Sequence, residues 1–191
     1  YIPSCNNEGT IADAIRSLKN QVYPIDEIFV IDDGSNDNTV NIAKKCGVEV
    51  HTNQRNNGRG YVRSKAMQIA KHEIVVCCDA TNELCLHFVN KGIIAFNSAI
   101  TSSVFGKISS KITSGTVNKW RSIHLFKENE RYLPGFQKSN LFITYGTMVR
   151  KSHILAVGNF NPELFHSEDE EMGERLLRSG YTLLSNHDLS V

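Results

Sequence analysis

EIFVIDDGSNDNTVNIAKKCGVEVHT, residues 27–52, decides the fold class. Its apolar run, Phe29 to Ile31, does not alternate with polar residues, which marks a strand buried on both faces. The run stops at two adjacent carboxylates, Asp32 and Asp33, and residues that favour turns follow. TVNIAKKCG reads as a short helix closed by Gly47, and VEVHT as a second strand. Strand, helix and strand in this order predict two parallel strands joined by a crossover. Two like charges at the end of a buried strand repel each other and resist desolvation. Taken alone, the pair reads more readily as a capped tight turn, because Asp, Gly, Ser and Asn all favour turns.

The same rhythm extends in both directions. Ile11, Ile15, Leu18 and Val22 fall at helical spacing before the first strand. NQRNNGRG is a polar, glycine-bearing loop, Val62, Ala66, Ile69 and Ala70 mark another helix, and EIVVCC is a third strand ending at Asp79. Valine- and isoleucine-rich strands separated by amphipathic helices predict an α/β sandwich, with a mostly parallel central sheet between two helical layers. Open sheets of this kind bind ligands at the carboxyl ends of their strands. Asp32, Asp33 and Asp79 all sit at such ends, so a cleft lined by carboxylates is expected there.

Residues 97–140 break the rhythm. The segment is rich in Ser, Thr, Lys and Gly and reads as loops, short elements or a mobile flap. Regular structure resumes in LFITYGTMVRKSHILAVGNF. A helix follows in SEDEEMGERLLRSGY, with Ser167 and Glu170 at capping-box spacing, Leu176 and Leu177 facing inward, and Gly180 as its stop. Arg175 lies one turn after Glu171 and is expected to pair with it.

The 191 residues suit one domain with a proper core, and the sequence reads as a piece of a longer chain. Hydrophobic residues make up 40% and charged residues 21%, with a net charge of +1. That balance gives no electrostatic ground for a nucleic-acid partner. No apolar run is long enough to span a bilayer, and no signal-peptide pattern opens the chain. Five cysteines, an odd number without any C-x-x-C pair, fit reduced thiols in a cytoplasmic protein better than disulfides or a zinc site. Peripheral association with a membrane is left to segments outside this sequence.

Three stretches together resemble the inverting family 2 glycosyltransferases of GT-A fold. These are IPSCNNEGTIADAIRSLKNQVYPIDEIFVIDDGSNDNT, NNGRGYVRSKAMQIAKHEIVVCCDA and GTMVRKSHILAVGNFNPELFHSEDEEMGERLLRSGY. The resemblance implies one catalytic domain over 1–191, with residues 1–96 binding the nucleotide sugar and 97–191 serving the acceptor. It implies a UDP- or GDP-sugar as donor and a glycan, lipid or small-molecule hydroxyl as acceptor.

The resemblance also implies roles for particular residues. Asp33 would accept hydrogen bonds from the donor base, as a carboxylate can, while Asp32 braces the loop at the nucleotide. Backbone after Pro3 would run along the nucleotide, with Asn7 and Glu8 at its edge. Gly58 would allow close approach, and Arg59 and Arg63 would face the diphosphate or else be ordinary surface charge. Asp79 and Ala80 would open a D-x-D motif that holds Mg or Mn against the phosphates. Thr81 replaces its second carboxylate, and a hydroxyl is a poorer ligand for a hard cation. Three readings follow: Asp79 holds the cation with phosphates and water, Glu83 substitutes, or the site is metal-independent or inactive. Asp169 would be the catalytic base and Glu168 its orienting neighbour, with four successive acids raising at least one proton affinity. An acid-rich helix start favoured by the helix dipole explains the same composition.

Trp120 and Tyr132 read as core aromatics or sugar-stacking faces, His166 as an edge of the acceptor site, and His187 as a surface or structural histidine. The alternative function is a non-catalytic sugar-nucleotide-binding module with a degenerate D-x-D motif. Nucleotidyltransferases are disfavoured because IPSCNNEG is not a basic glycine-rich loop. A response-regulator receiver is disfavoured because no lysine ends a late strand.

Overall fold

The computed structural model of the protein describes residues 1–109 and 132–191. Three strands form a parallel sheet: β1 (Ile2–Ser4), β2 (Phe29–Asp32) and β3 (Glu49–Thr52), in the order β1-β2-β3. The register sets Ile2 beside Val30 and Val30 beside Val50. Helices α1 (Ile11–Lys19) and α2 (Thr39–Lys45) make the crossovers, and Gly47 at φ 70° ends the second, as its position predicts. Val22 lies beyond α1 and is exposed, so it takes no part in the helical stripe that the spacing suggested.

The second sheet has the order β4-β7-β5-β8-β6. Its members are β4 (Ile74–Cys77), β5 (Thr101–Lys107), β6 (Phe136–Ser139), β7 (Thr147–Arg150) and β8 (Thr182–Ser190). Only β5 and β8 pair in parallel here; β4 with β7, β7 with β5, and β6 with β8 run antiparallel. The central layer is therefore parallel in its first half and mixed in its second. The Tyr1 amino nitrogen donates to Val76 O at 2.8 Å and Cys78 N donates to Tyr1 O at 3.1 Å, joining β1 to β4 across the two sheets.

The segment expected to be irregular supplies β5, the middle strand of the second sheet. Thr101, Ser102 and Ser103 are buried there, so small polar residues occupy a core strand without an apolar signature. Trp120 lies outside the described residues. Tyr132 is exposed rather than core, its hydroxyl donating to Asp188.

Alternation along the strands sorts the core into two faces. Ile2, Val30, Val104 and Met148 pack with α1, α2 and α4 (Phe88–Gly92) on one side. Phe29, Ile31, Val75, Cys77, Val149 and Leu183 pack on the other with α3 (Arg59–Ile69), α5 (Lys151–Ala156) and α6 (Glu168–Arg178). This is the three-layer arrangement that the pattern of strands and helices predicts. Among the described residues no helix is long and apolar enough to cross a membrane.

Helix α6 starts and stops differently from one another. Ser167 takes a left-handed conformation (φ 58°) and makes no side-chain cap, so the expected capping box is not formed. Asp169 Oδ1 instead accepts from Glu170 N at 3.0 Å. The stop is as predicted: Gly180 at φ 82°, with Tyr181 N donating to Leu176 O and Gly180 N to Leu177 O. Arg175 grips Glu171 through two hydrogen bonds of 2.6 Å, as their spacing suggested.

Candidate active site

The carboxyl ends of β1, β2 and β4 open onto a cleft of about 290 Å³. Pro3 and Asn7 come to it from β1 and its loop, and Asp33 from the end of β2. Gly58, Arg59 and Arg63 line it from the start of α3, and Asp79 and Ala80 from the end of β4. Eight of the residues singled out from sequence thus share one wall system. A second cleft of similar volume, lined by Tyr23, Pro24 and Ile93 among others, contains none of them.

The two adjacent aspartates divide their work. Asp32 is fully buried and accepts from Ser35 N at 3.0 Å, from Ser35 Oγ and from Ser4 Oγ, which fixes the turn. Asp32 does not line the cleft, contrary to its expected place there; only its neighbour Asp33 does. Asp33 accepts from Asn53 Nδ2 (2.8 Å), Asn57 N (3.0 Å), Gly58 N (2.9 Å) and, at a longer 3.3 Å, Asn57 Nδ2. Gly34 has φ 77°, and a Cβ there would meet Arg55 backbone carbon at 2.8 Å, so the turn requires glycine.

Glu8 also stays out of the cleft. Its carboxylate accepts from Asn38 N, while Asp37 Oδ2 accepts from Glu8 N. Asn6 and Ser35 complete the contact: Asn6 N donates to Ser35 Oγ and Asn36 N to Asn6 Oδ1, both at 2.8 Å. The loops after β1 and β2 are therefore bolted to each other by side-chain-to-backbone bonds.

Arg63 departs most from expectation. It is 1% exposed, and all three guanidinium nitrogens are engaged. Nε donates to Glu168 Oε1 at 3.0 Å, Nη2 to Asp79 Oδ1 at 3.0 Å, and Nη1 to the Tyr1 hydroxyl at 3.2 Å. Burial opposes its charge, but the Tyr1 hydroxyl and Asp79 outweigh that and hold its pKa well above the ordinary arginine value. Arg63 is thus a buried tie between β4 and α6 and is not available to a diphosphate. Arg59, by contrast, remains 54% exposed at the cleft.

The third acidic group reaches the site through this tie. Glu168, 1% exposed, is bound to Arg63 and hence to Asp79. Asp169 is half-buried and does not line the cleft itself, but its charge acts on Tyr145, whose pKa is raised first by burial and then by Asp169. Tyr145 O in turn accepts from Asn82 Nδ2 at 3.4 Å, in the loop after Asp79. Phe165, His166 and Asn56 also line the cleft. Of these, only His166 stood out in the sequence, since an exposed phenylalanine or a loop asparagine carries no periodic signal.

Among the described residues, Asp79 is the one carboxylate of the D-x-D stretch that lines the cleft. Thr81 Oγ1 donates to Asn82 Oδ1, and Glu83 lines a separate cleft with Asp13 and Arg16. His187 Nδ1 accepts from Leu133 N. Among the described residues, no three His, Cys, Asp or Glu side chains are placed to hold a metal. The donor set suits a cation held mainly by phosphate and water with Asp79, and does not suit one caged by protein.

Residues 1–160 match the sequence profile described as Glycosyl transferase family 2. The chain belongs to this family. The family 2 chain is 22% identical over 195 residues to the glycosyltransferase AglE of Haloferax volcanii, covering 98% of this chain and 64% of AglE. Among solved structures it is similar to the mannosyltransferase PcManGT of Pyrobaculum calidifontis in complex with GDP-Man and Mn2+ (TM-score 0.76, 17% identity, 100% of this chain and 55% of that one). It is also similar to S. aureus TarS 1–349 in complex with UDP-GlcNAc (TM-score 0.74, 18% identity, 100% and 56%). At these identities the likeness carries the fold, which is the GT-A α/β sandwich. The family 2 chain spans 16% to 64% of the length of curated relatives such as these.

Proposed function

We propose that the chain is the catalytic domain of a glycosyltransferase, which moves a sugar from a nucleoside diphosphate to an acceptor hydroxyl with inversion. The observation that carries this reading is the gathering of Asp33, Asp79 and, through Arg63, Glu168 around one cleft at the strand ends. Structures similar to it hold UDP-GlcNAc and GDP-Man, which supports a UDP- or GDP-sugar as donor.

Asp33 receives the base N–H. Its longest bond, from Asn57 Nδ2, is the one to yield, because that amide keeps Arg55 O at 2.8 Å as a second acceptor. The backbone after Pro3 and the close approach at Gly58 seat the nucleotide. Asp79 would hold a divalent cation together with donor phosphates and water; when bound, it neutralises the leaving diphosphate. Asp169 takes the acceptor proton as the hydroxyl oxygen bonds to the anomeric carbon. The bond from that carbon to the diphosphate breaks on the opposite side, and the nucleoside diphosphate leaves with the electron pair. Glu168, locked to Arg63, fixes the start of α6 and so positions Asp169. Residues 97–191 supply the acceptor side, the hydroxyl belonging to a glycan, lipid or small molecule.

Asp169→Asn tests the assignment: transfer measured with UDP- and GDP-sugars should fall at least about a thousandfold while nucleotide affinity is kept. Lost affinity with unchanged turnover would refute it. Thr81 in place of a second carboxylate favours one other reading, a non-catalytic module that binds the sugar nucleotide. Donor binding without hydrolysis or transfer in the unaltered protein, with Mg or Mn present, would select that reading.

A further inference from the structure

Among the described residues two arginines line the cleft, and one of these has charge to spare. Arg63 is buried with every nitrogen engaged. Arg59, the first residue of α3, rests among the described residues on three incomplete partners. Its Nη2 is 2.8 Å from His166 Nδ1, its Nε donates to Phe165 O at 3.5 Å, and the same Nε lies 3.8 Å from Glu168 Oε2. A guanidinium only donates, so His166 Nδ1 must be the acceptor and the ring proton sits on Nε2. Glu168 Oε2 is a buried carboxylate oxygen without any hydrogen-bond partner among the described residues. An oxygen left in that state is costly and draws the nearest cation toward it. None of the three contacts is the paired, two-bond grip that a guanidinium makes with carboxylate or phosphate.

We infer that Arg59 is the movable anion clamp of the cleft, held back by His166 and Glu168 until a diphosphate offers it a better grip. This rests on the reading of the cleft as a nucleoside diphosphate site. His166 and Glu168 are positioning residues here: they touch Arg59, not the ligand. Whatever fraction of molecules keeps Arg59 on His166 lowers the apparent diphosphate affinity by that fraction. Weakening the resting contact therefore tightens binding, the reverse of what loss of a direct ligand contact does.

Calorimetric titration of UDP and of uridine tests this in the unaltered protein and in His166→Ala, His166→Asn and Arg59→Ala, all at exposed positions. His166→Ala should tighten UDP by up to about fivefold, the size of an exposed pair. His166→Asn, whose Oδ1 still accepts, should behave like the unaltered protein. Arg59→Ala should weaken UDP by about tenfold. Uridine, lacking phosphate, should bind alike in all four. Unchanged or weaker UDP binding in His166→Ala overturns the clamp, as does UDP binding indifferent to Arg59→Ala or uridine binding that shifts with either. If the unaltered protein fails to bind UDP and GDP at all, the nucleotide-sugar reading falls and takes the clamp with it. UDP binding of equal strength in every variant sinks the clamp alone.

Discussion

Arg63 illustrates how a residue's neighbours decide its job. From sequence it is one of several basic residues near a glycine-rich loop, equally suited to a phosphate or to solvent. An arginine can be buried only where its donors find acceptors, and here Tyr1, Asp79 and Glu168 arrive from three distant parts of the chain. No local pattern announces that meeting. Asp33 and Asp79 were legible because strand ends are local features, and both line the cleft expected there, while Asp32 serves the turn. Removing the guanidinium leaves two carboxylates without their cation. Arg63→Ala is expected to lose about 3–5 kcal/mol of stability, read from the midpoint and slope of a urea denaturation curve. A loss below about 1 kcal/mol would mean the tie matters little.

Elements meet in this molecule where side chains vanish. Gly60 in the first turn of α3 faces the segment before α6: a Cβ there would lie 2.1 Å from Asn161 O and 2.6 Å from Leu164 O. Gly60 N donates to Leu164 O at 2.9 Å, which holds the segment at that distance. Gly60→Ala must push the two apart, at a cost of about 1–3 kcal/mol. It should also lower transfer more than nucleotide affinity, since the displaced segment leads into Glu168 and Asp169. Unchanged thermal stability in that variant would contradict the close approach.

Helix α5 carries a different sensitivity. His153 stacks on Tyr181 with ring centroids 3.9 Å apart, and its Nδ1 lies 3.1 Å from Ser102 Oγ. Burial, and then the nearby Arg150, lower its pKa from the ordinary 6.5. Well above pH 6.5 the imidazole is neutral in folded and unfolded chains alike, and its contacts contribute fully. As pH falls below 6.5 the unfolded chain takes up a proton that the folded site resists, and stability declines through the lowered folded value. His153→Gln should flatten the fall in melting temperature between pH 7.5 and about 5 relative to the unaltered protein. An identical pH profile would show that His153 does not titrate this way.

At the scale of the whole molecule, the first half could be read almost element by element, because helical and strand periodicities are local. The second half could not. Its middle strand, β5, buries Thr101, Ser102 and Ser103, and strand β7 inserts antiparallel between β4 and β5. Both facts depend on partners far away in sequence, so alternation of apolar and polar residues never records them. The cleft bridges the two sheets, taking Asp33 from the end of β2 in the first and Asp79 from the end of β4 in the second. A ligand that binds only the folded cleft stabilises the whole domain. UDP at a hundredfold its dissociation constant adds about 2.7 kcal/mol, which for a domain of this size raises the melting temperature by roughly 5–10 °C. AMP has one phosphate and no base N–H beside a carbonyl, and should leave the melting temperature unmoved. Equal shifts from both nucleotides would remove Asp33 from base recognition.

The bolted loops beside the cleft have a thermal corollary. Their order comes from amides, a hydroxyl and carboxylates, Asn6 with Ser35 and Asn36, Glu8 with Asp37 and Asn38, rather than from hydrocarbon packed out of water. The driving force that fades on cooling is the burial of hydrocarbon. Near freezing, when the inner layers of the sandwich grip less firmly, this rim of the molecule keeps its shape.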